Sequence, residues 1–136
     1  MTHAQTPAIQ VIDPRGLVLR SVRYHRRDSA SAPEGYITQQ AHDAAGRTVL
    51  NRDPRLFLED MPANQRNVFS LSSALLLNEN TDAGWRLSLN AEDGSHLEGW
   101  DQKRNHSRTC HDALRRPSAT YEQSEGEPEH CTERFT

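Results

Sequence analysis

The clearest pattern of apolar and polar positions lies in residues 85–100. Apolar and polar residues alternate without a break from Trp85 to Asn90, the two-residue period of a strand with one buried face. Asp93 and Gly94 then predict a turn, because Gly tolerates a positive φ and Asp bonds back to nearby amides. A second short strand running toward Trp100 completes a predicted β-hairpin.

Two similar patterns precede this hairpin. In each, short β-prone runs lie on both sides of an Asp-x-x-Gly sequence, which predicts a tight turn. The first has strands at 9–12 and 17–24 around Asp13 and Gly16; the second has strands at 36–41 and 48–50 around Asp43, Gly46 and Arg47. Residues 1–8 precede them as an expected flexible arm, so that 9–136 form one predicted β-hairpin region.

The middle of the chain is harder to interpret. Pro54 and Pro62 argue against a helix here, because proline lacks an amide donor and disfavours helix at the preceding residue. Residues 64–67 are polar and are expected to be exposed. Residues 69–78 fit either a strand or a helical turn, and their hairpin neighbours favour a strand that turns over residues 78–84.

The end of the chain repeats the hairpin pattern at a regular spacing. Turn centres fall near Gly94, Arg104 and Arg115, ten or eleven residues apart, and Asp112 begins the last of these turns. Strands are predicted at 106–111, 118–121 and 131–136, with an exposed acidic loop at 122–129. Short strands at this spacing indicate a sheet built by repetition, whose terminal strands need caps or a partner sheet.

The composition indicates that the apolar side chains of this segment are fully buried only when it packs against other protein. The chain has 136 residues, of which 34% are hydrophobic and 6% aromatic, a low apolar share for a globular domain. With 26% charged residues and a net charge of −3, it is not the highly charged chain expected of full disorder. A β-rich piece of at most one domain, packing against something else, fits both observations.

Charge and leader patterns narrow the range of functions. A net negative chain without a basic run gives no support for nucleic-acid binding, and Lys103 is its single lysine. It has no run of 18 apolar residues, and its polar start lacks the regions of a Sec signal peptide. We therefore expect the chain to be made in the cytoplasm and to make no contact with a membrane.

No residue pattern predicts a catalytic site, a metal or a cofactor. The pairs His42 with Asp43 and His111 with Asp112 are adjacent in turns, and adjacency does not make two side chains converge. Cys110 and Cys131 each neighbour a histidine, but adjacent strand residues point to opposite faces, which disfavours zinc. Two unlinked thiols are favoured, and a disulfide stays open.

The large apolar side chains have two interpretations. Sheet packing is favoured for them, and exposed aromatics that bind sugar rings are the alternative. The predicted packing residues are Trp85, Leu87, Leu89, Trp100 and Tyr121.

Several landmarks resemble a known family. Residues 36–50, with His-Asp-Ala-Ala-Gly-Arg at 42–47, are similar to the YD repeat of RHS proteins, whose core is Tyr-Asp-x-x-Gly-Arg; His42 stands where Tyr is usual. The ordered set of residues 11–17, 24–26, 53–56, 82–86, 112–117 and 133–136 resembles the N-terminal region of the C component of bacterial insecticidal toxin complexes, the TccC-like RHS proteins. Ala91 and Arg104 depart from the repeat, which tends to carry Asp and Gly there.

This resemblance implies an all-β structural segment of consecutive antiparallel hairpins with few or no helices, part of a larger curved sheet. In that family the RHS repeats of the B and C components form a hollow shell around a C-terminal toxin domain. The implied partners are the B component and the downstream repeats and toxin domain, with release as part of the complex. The alternative is a free-standing β module that binds carbohydrate or protein through aromatic or edge-strand surfaces.

Overall fold

The computed structural model describes residues 6–135, and these form β-strands joined by tight turns. Its elements in chain order are β1 (Ala8–Ile12), β2 (Val18–His25), β3 (Glu34–His42), β4 (Thr48–Arg52), α1 (Pro54–Leu58), β5 (Gln65–Phe69), β6 (Leu75–Asn80), β7 (Gly84–Asn90), β8 (His96–Asp101), β9 (His106–His111), β10 (Pro117–Gln123) and β11 (His130–Arg134). The hydrogen-bonded strand order is the chain order, from β1 to β11. The prediction of an all-β fold of consecutive antiparallel hairpins is confirmed. Of the predicted arm at 1–8, residues 1–5 lie outside the described part, and β1 begins at Ala8.

The chain divides into two compact units, Met1–Arg66 and Asn67–Thr136. In the first unit, the register places apolar side chains on one face of the sheet, where Ile9 pairs with Val22 and Val22 with Ile37. Successive residues of a strand point to opposite faces. The neighbouring row, in which Gln10 pairs with Ser21 and Ser21 with Thr38, therefore gives the other face a polar surface.

A short helix in the first unit corrects the expectation drawn from the prolines. Helix α1 begins at Pro54, where the missing amide hydrogen is no loss because the first helical amides have no partner within the helix. Asp53 caps it: its Oδ1 accepts from the amide of Leu56 at 3.0 Å, and its carbonyl accepts from the amide of Phe57 at 3.0 Å. Pro62 lies beyond the helix end. Helix α1 packs against β3, and Leu56 is 8% exposed.

Two further expectations for the middle of the chain are wrong. Residues 64–67, expected to be an exposed polar stretch, lie mostly in β5, where half-buried Asn67 accepts from Asn78 Nδ2 at 2.7 Å. Residues 69–78 are not a single strand, because the chain turns over after Phe69 and β6 starts at Leu75. The side chain of Leu71, at this turn, is fully exposed.

The second unit contains β6 to β11 and most of β5. Its strands pair in a fixed register across one face, in which Leu77 faces Leu87, Leu87 faces Trp100, and Trp100 faces His106. In the described part of this unit, Ala119 at 8% exposure is the one buried apolar residue. The sheet therefore leaves most of its apolar side chains only half-covered.

Candidate interaction surface

A single turn geometry recurs along the chain. At Asp43, the amide donates to the carbonyl of Arg47 at 3.0 Å, and the amide of Gly46 donates back to the carbonyl of Asp43 at 3.0 Å. Gly46 has φ +83°. These features define a type I turn followed by a left-handed residue that forms a β-bulge. The same pair of backbone bonds occurs at 13–17, 70–74, 91–95, 101–105 and 112–116.

The aspartate that begins these turns uses both carboxylate oxygens. Asp43 Oδ1 accepts from the Arg47 amide at 2.9 Å, and Oδ2 accepts from Arg47 Nε at 2.6 Å. Asp112 holds Arg116 in the same way, with 2.9 Å to its amide and 2.8 Å to its Nε. Hydrogen bonds from the amides of Arg47 and Arg116, followed by their side chains, hold the pKa of both carboxyls below the ordinary 3.8. Both aspartates are therefore committed to shaping the turns.

The first and third aspartate turns vary this arrangement. Asp13 Oδ1 accepts from the amide of Leu17 at 3.0 Å, while its Oδ2 accepts from Arg15 Nε at 2.8 Å. At Asp101 the side-chain partner is an amide, with 2.9 Å from Asn105 Nδ2 to Oδ2. The backbone bond from Leu17 lowers the pKa of Asp13, and the side-chain bond from Asn105 lowers that of Asp101.

Other residues fill the same positions with different chemistry. Ser70 replaces aspartate, and its hydroxyl accepts from the amide of Ala74 at 3.0 Å. Ala91 offers no side-chain acceptor, and Asp93 in the same turn accepts from the amide of Ser95 at 2.9 Å. The left-handed position is Gly94 (φ +84°) in that turn, and in three other turns it is Ser73 (+70°), Arg104 (+59°) or Arg115 (+60°).

Arginines link turns that lie on the same side of a unit. Arg15 Nη1 donates to the carbonyl of Asp43 at 2.8 Å, which joins the first turn to the second. Arg104 forms an ion pair with Glu125 at 2.6 Å, and Arg115 lies 3.7 Å from Asp93. Each link spans two strands, so it ties alternate hairpins within one unit.

The predicted packing residues lie on one face of the second unit. Trp85, Leu87 and Leu89 alternate along β7, and Trp100 and Tyr121 reach the same face through the register of β8 to β10. Leu89 is 42% exposed and the other four are half-buried. The face brings these side chains into one surface without enclosing them.

Two aromatic contacts on this face were missed from the sequence. The ring of His106 stacks on Trp100, with centroids 5.0 Å apart and planes inclined by 17°. The guanidinium of Arg108 lies 4.2 Å above the ring of Tyr121 and binds Glu129 through Nε at 2.6 Å and Nη2 at 2.8 Å. These partners are 6 to 21 residues apart and meet only through strand register, which alternation alone does not specify.

Few reactive side chains lie close to one another among the described residues. Residues 6–135 contain no group of three or more His, Cys, Asp or Glu placed to hold a metal. Cys110 and Cys131 are both free thiols. Ser107 Oγ lies 3.5 Å from His96 Nε2 beside Gly99, in an open depression on the polar face of the second unit. Within the described part, no helix is long and apolar enough to cross a membrane.

The first strand presents an apolar edge. All five residues of β1 are exposed, and Ile9, Val11 and Ile12 are 45%, 47% and 58% accessible. One side of β1 pairs with β2, and no other strand of residues 6–135 lies beside it. An exposed apolar edge strand favours pairing with a further strand.

Comparisons with known proteins place these features in context. No family model matches the sequence. Over 92 residues it is 32% identical to toxin subunit YenC2 of Yersinia entomophaga, a match that covers 67% of this chain and 9% of that protein. The crystal structure of TcdB2-TccC3-Cdc42 and the structure of the Photorhabdus luminescens Tc holotoxin pore each match with a TM-score of 0.90 and 26% identity, over 99% of this chain and 7% of theirs. The chain thus spans less than a tenth of the length of these relatives.

Proposed function

We propose a structural role for this chain, which belongs to the RHS-repeat, TccC-like components of bacterial toxin complexes. In this role its hairpins form part of the wall of a hollow β-shell that encloses a C-terminal toxin domain. Its partners are the B component and the downstream repeats and toxin domain of its own protein, and the complex acts outside the cell that made it. The observation that most supports this role is that the sheet repeats one turn geometry and leaves its large apolar side chains half-covered.

The two faces of the first unit support a wall. Ile9, Val22 and Ile37 form an apolar row on one face, whereas Gln10 and its partners make the other face polar. An antiparallel sheet with one apolar face is stable in water when that face is covered. In a closed shell, the apolar face contacts protein and the polar face contacts solvent.

The edge strand supports continuation of the sheet. The apolar side chains of β1 are exposed, and an added strand would satisfy the free backbone groups on that edge and cover Ile9 and Val11. A strand of the B component or of a further repeat supplies both in this proposal. Strand β11 stands at the other end of the strand order of the described residues, and its five residues are polar apart from Cys131 and all exposed, so only its edge position supports continuation.

The proposal includes no catalytic role for this segment. The carboxylates of Asp13, Asp43, Asp101 and Asp112 are occupied by turn amides and by neighbouring side chains. General acid–base catalysis needs a group free to exchange its proton with a substrate. The proposal therefore assigns the toxic activity to the enclosed domain.

The test compares two lysine substitutions on β1. Ile9→Lys places a charge on the apolar face and Gln10→Lys places one on the polar face, one residue away. We expect the chain to co-elute with the B component in size-exclusion chromatography, Ile9→Lys to weaken that association at least tenfold, and Gln10→Lys to leave it within twofold.

Equal effects of the two variants would contradict the proposed wall. A chain that unfolds cooperatively as a monomer and never associates with the B component would instead favour the free-standing β module. Far-UV circular dichroism of each variant identifies a loss of association that comes from a loss of structure.

A further inference from the structure

Strand β1 lacks the features that protect an edge strand. Its sequence, Ala-Ile-Gln-Val-Ile, contains no charged residue and no proline, whereas proteins commonly place one or the other on an exposed edge. Strand β11, at the other end of the strand order of residues 6–135, carries Glu133 and Arg134. Of these two edges, β1 is therefore the one open to association with another strand.

The first turn shows which backbone groups of β1 point away from β2. The amide of Asp13 donates to the carbonyl of Leu17 at 2.8 Å, so it points toward β2. Successive residues of an antiparallel strand direct their N–H and C=O groups to alternate sides. Ala8, Gln10 and Ile12 therefore direct theirs away from β2. The bulge in this hairpin has its extra residue in β2, so β1 keeps the alternation along its whole length.

Two copies of β1 fit each other in one antiparallel register. When Gln10 lies opposite the Gln10 of a second copy, Ala8 lies opposite Ile12, and no residue of the strand lacks a partner. These are the residues with outward backbone groups, and three such pairs exchange two hydrogen bonds each, about six in total. A shift of two residues in either direction loses one of the three pairs. A shift of one residue would place apolar side chains opposite polar ones.

The same register joins the apolar faces of the two copies. Ile9 lies beside Val22 on the apolar face, and Val11 lies on that face two residues further along β1. In the paired copies each Ile9 lies opposite a Val11, with Cβ atoms about 4.5–5.5 Å apart. Ile9 and Val11 are 45% and 47% accessible in the single chain, and each would cover part of the other. The uncharged strand brings no like charges together.

We propose that two copies of the chain associate through β1 as a two-fold symmetric dimer when no other strand occupies this edge. The dimer joins the sheets of the two first units, with the two-fold axis at Gln10. It uses the same edge that the proposed function assigns to the B component or a further repeat, so it has to open before that strand is added. This consequence rests on the proposed function, whereas the dimer itself follows from β1 alone.

The test uses the residue on the two-fold axis. Gln10→Glu and Gln10→Lys each place two like charges opposite each other, which opposes pairing. Each variant alone should raise the dissociation constant of the dimer about tenfold or more, whereas an equimolar mixture of the two should restore the dimer. Sedimentation velocity of the full chain measures the mass. Because the interface is small, we expect the parent chain to pass from monomer to dimer between about 1 and 200 µM.

Thr132→Glu and Thr132→Lys provide the matched control, since Thr132 is the exposed central residue of β11. Both should dimerise like the parent chain, and a loss of the dimer in them would overturn the proposal by placing β11 in the interface. A parent chain that stays monomeric throughout the range, whether folded or not, or that forms aggregates without a defined dimer, would also overturn it.

The mixture of Gln10 variants tests the register itself. Variants that dimerise alone as well as the parent chain does, or a mixture that does not recover the dimer, would contradict pairing at Gln10. Far-UV circular dichroism of each variant identifies a change of mass that comes from a loss of structure. Gln10→Lys is expected to lose the dimer but to retain binding to the B component, so the dimer and the proposed function can fail separately.

Discussion

Replacing Gly46 with valine tests whether backbone conformation or space determines the turn residues. Gly46 has φ +83°, and a Cβ built there would lie 3.5 Å from Leu17 Cδ1, an ordinary van der Waals contact. The space is therefore adequate and the left-handed backbone is the obstacle. A residue other than glycine costs about 1–2 kcal/mol in this conformation, and a β-branched side chain is worse than average there.

The size of the effect follows from that conformational cost. We expect Gly46→Val to lower the free energy of unfolding by roughly 2 kcal/mol, which corresponds to a fall in Tm of about 4–8 °C for each kcal/mol in units of this size. Gly46→Asn should lose less than half as much, because asparagine adopts the left-handed region more readily. Urea and thermal unfolding followed by circular dichroism measure both variants.

The comparison of valine with asparagine decides between the two causes. Both side chains fill space beside Leu17, so a steric cost would be similar in the two variants, whereas a backbone cost separates them. Gly94 provides a control in the other unit, since it has φ +84° and nothing within 4 Å of its Cβ position. Equal losses for valine and asparagine at Gly46, or a Gly46→Val chain as stable as the parent, would refute this reasoning.

Two further predictions concern the helix and the turn carboxylates. Leu56→Ala should cost about 2–3 kcal/mol of unfolding free energy in a denaturant titration, because it leaves a cavity. Leu58→Ala, at a position 68% exposed in the same helix, should cost at most about 0.5 kcal/mol in the same titration. Similar losses in the two variants would contradict the packing of α1 against β3. Folding lowers the pKa of Asp43 and Asp112, so the folded chain binds a proton at these carboxylates more weakly than the unfolded chain does. The stability that the two carboxylates contribute is therefore complete at neutral pH and is lost as the pH falls below the ordinary 3.8. Urea titrations at pH 7, 4 and 3 should show that loss, and Asp112→Asn should reduce it; an unchanged pH dependence would count against the role of that carboxylate.

The hairpins that follow a simple turn code could be predicted from sequence. Strand β9, expected at 106–111, spans His106–His111, and the hairpin of β7 and β8 turns at Gly94 as alternation and the Asp-Gly pair indicate. In both cases a side-chain acceptor or a glycine marks the turn in the sequence. Local chemistry and local structure agree at these positions.

Prediction from sequence fails where the same turn backbone is formed by residues other than aspartate and glycine. The turn at 70–74 has serine in the first place and Ser73 in the left-handed place, so its composition does not differ from that of a polar strand. Helix α1 is not expected from sequence because proline disfavours the interior of a helix, whereas Pro54 stands in the first turn, where proline is favourable. The stacking of His106 on Trp100 depends on the register between β8 and β9, which alternation of apolar and polar residues does not specify.

The repeated turn tolerates different residues in its first position, and this tolerance indicates which interactions stabilise it. Its backbone bonds are retained with Asp13, Ser70 or Ala91 in the first place, although alanine supplies no side-chain acceptor. The side chains therefore adjust a conformation that strand pairing on both sides already enforces. The exposed links between turns, such as that of Arg104 with Glu125, are each worth little in water. Stability of this kind accumulates through neighbouring hairpins, so the first unit should gain from a partner strand beside β1, the edge strand of its described part.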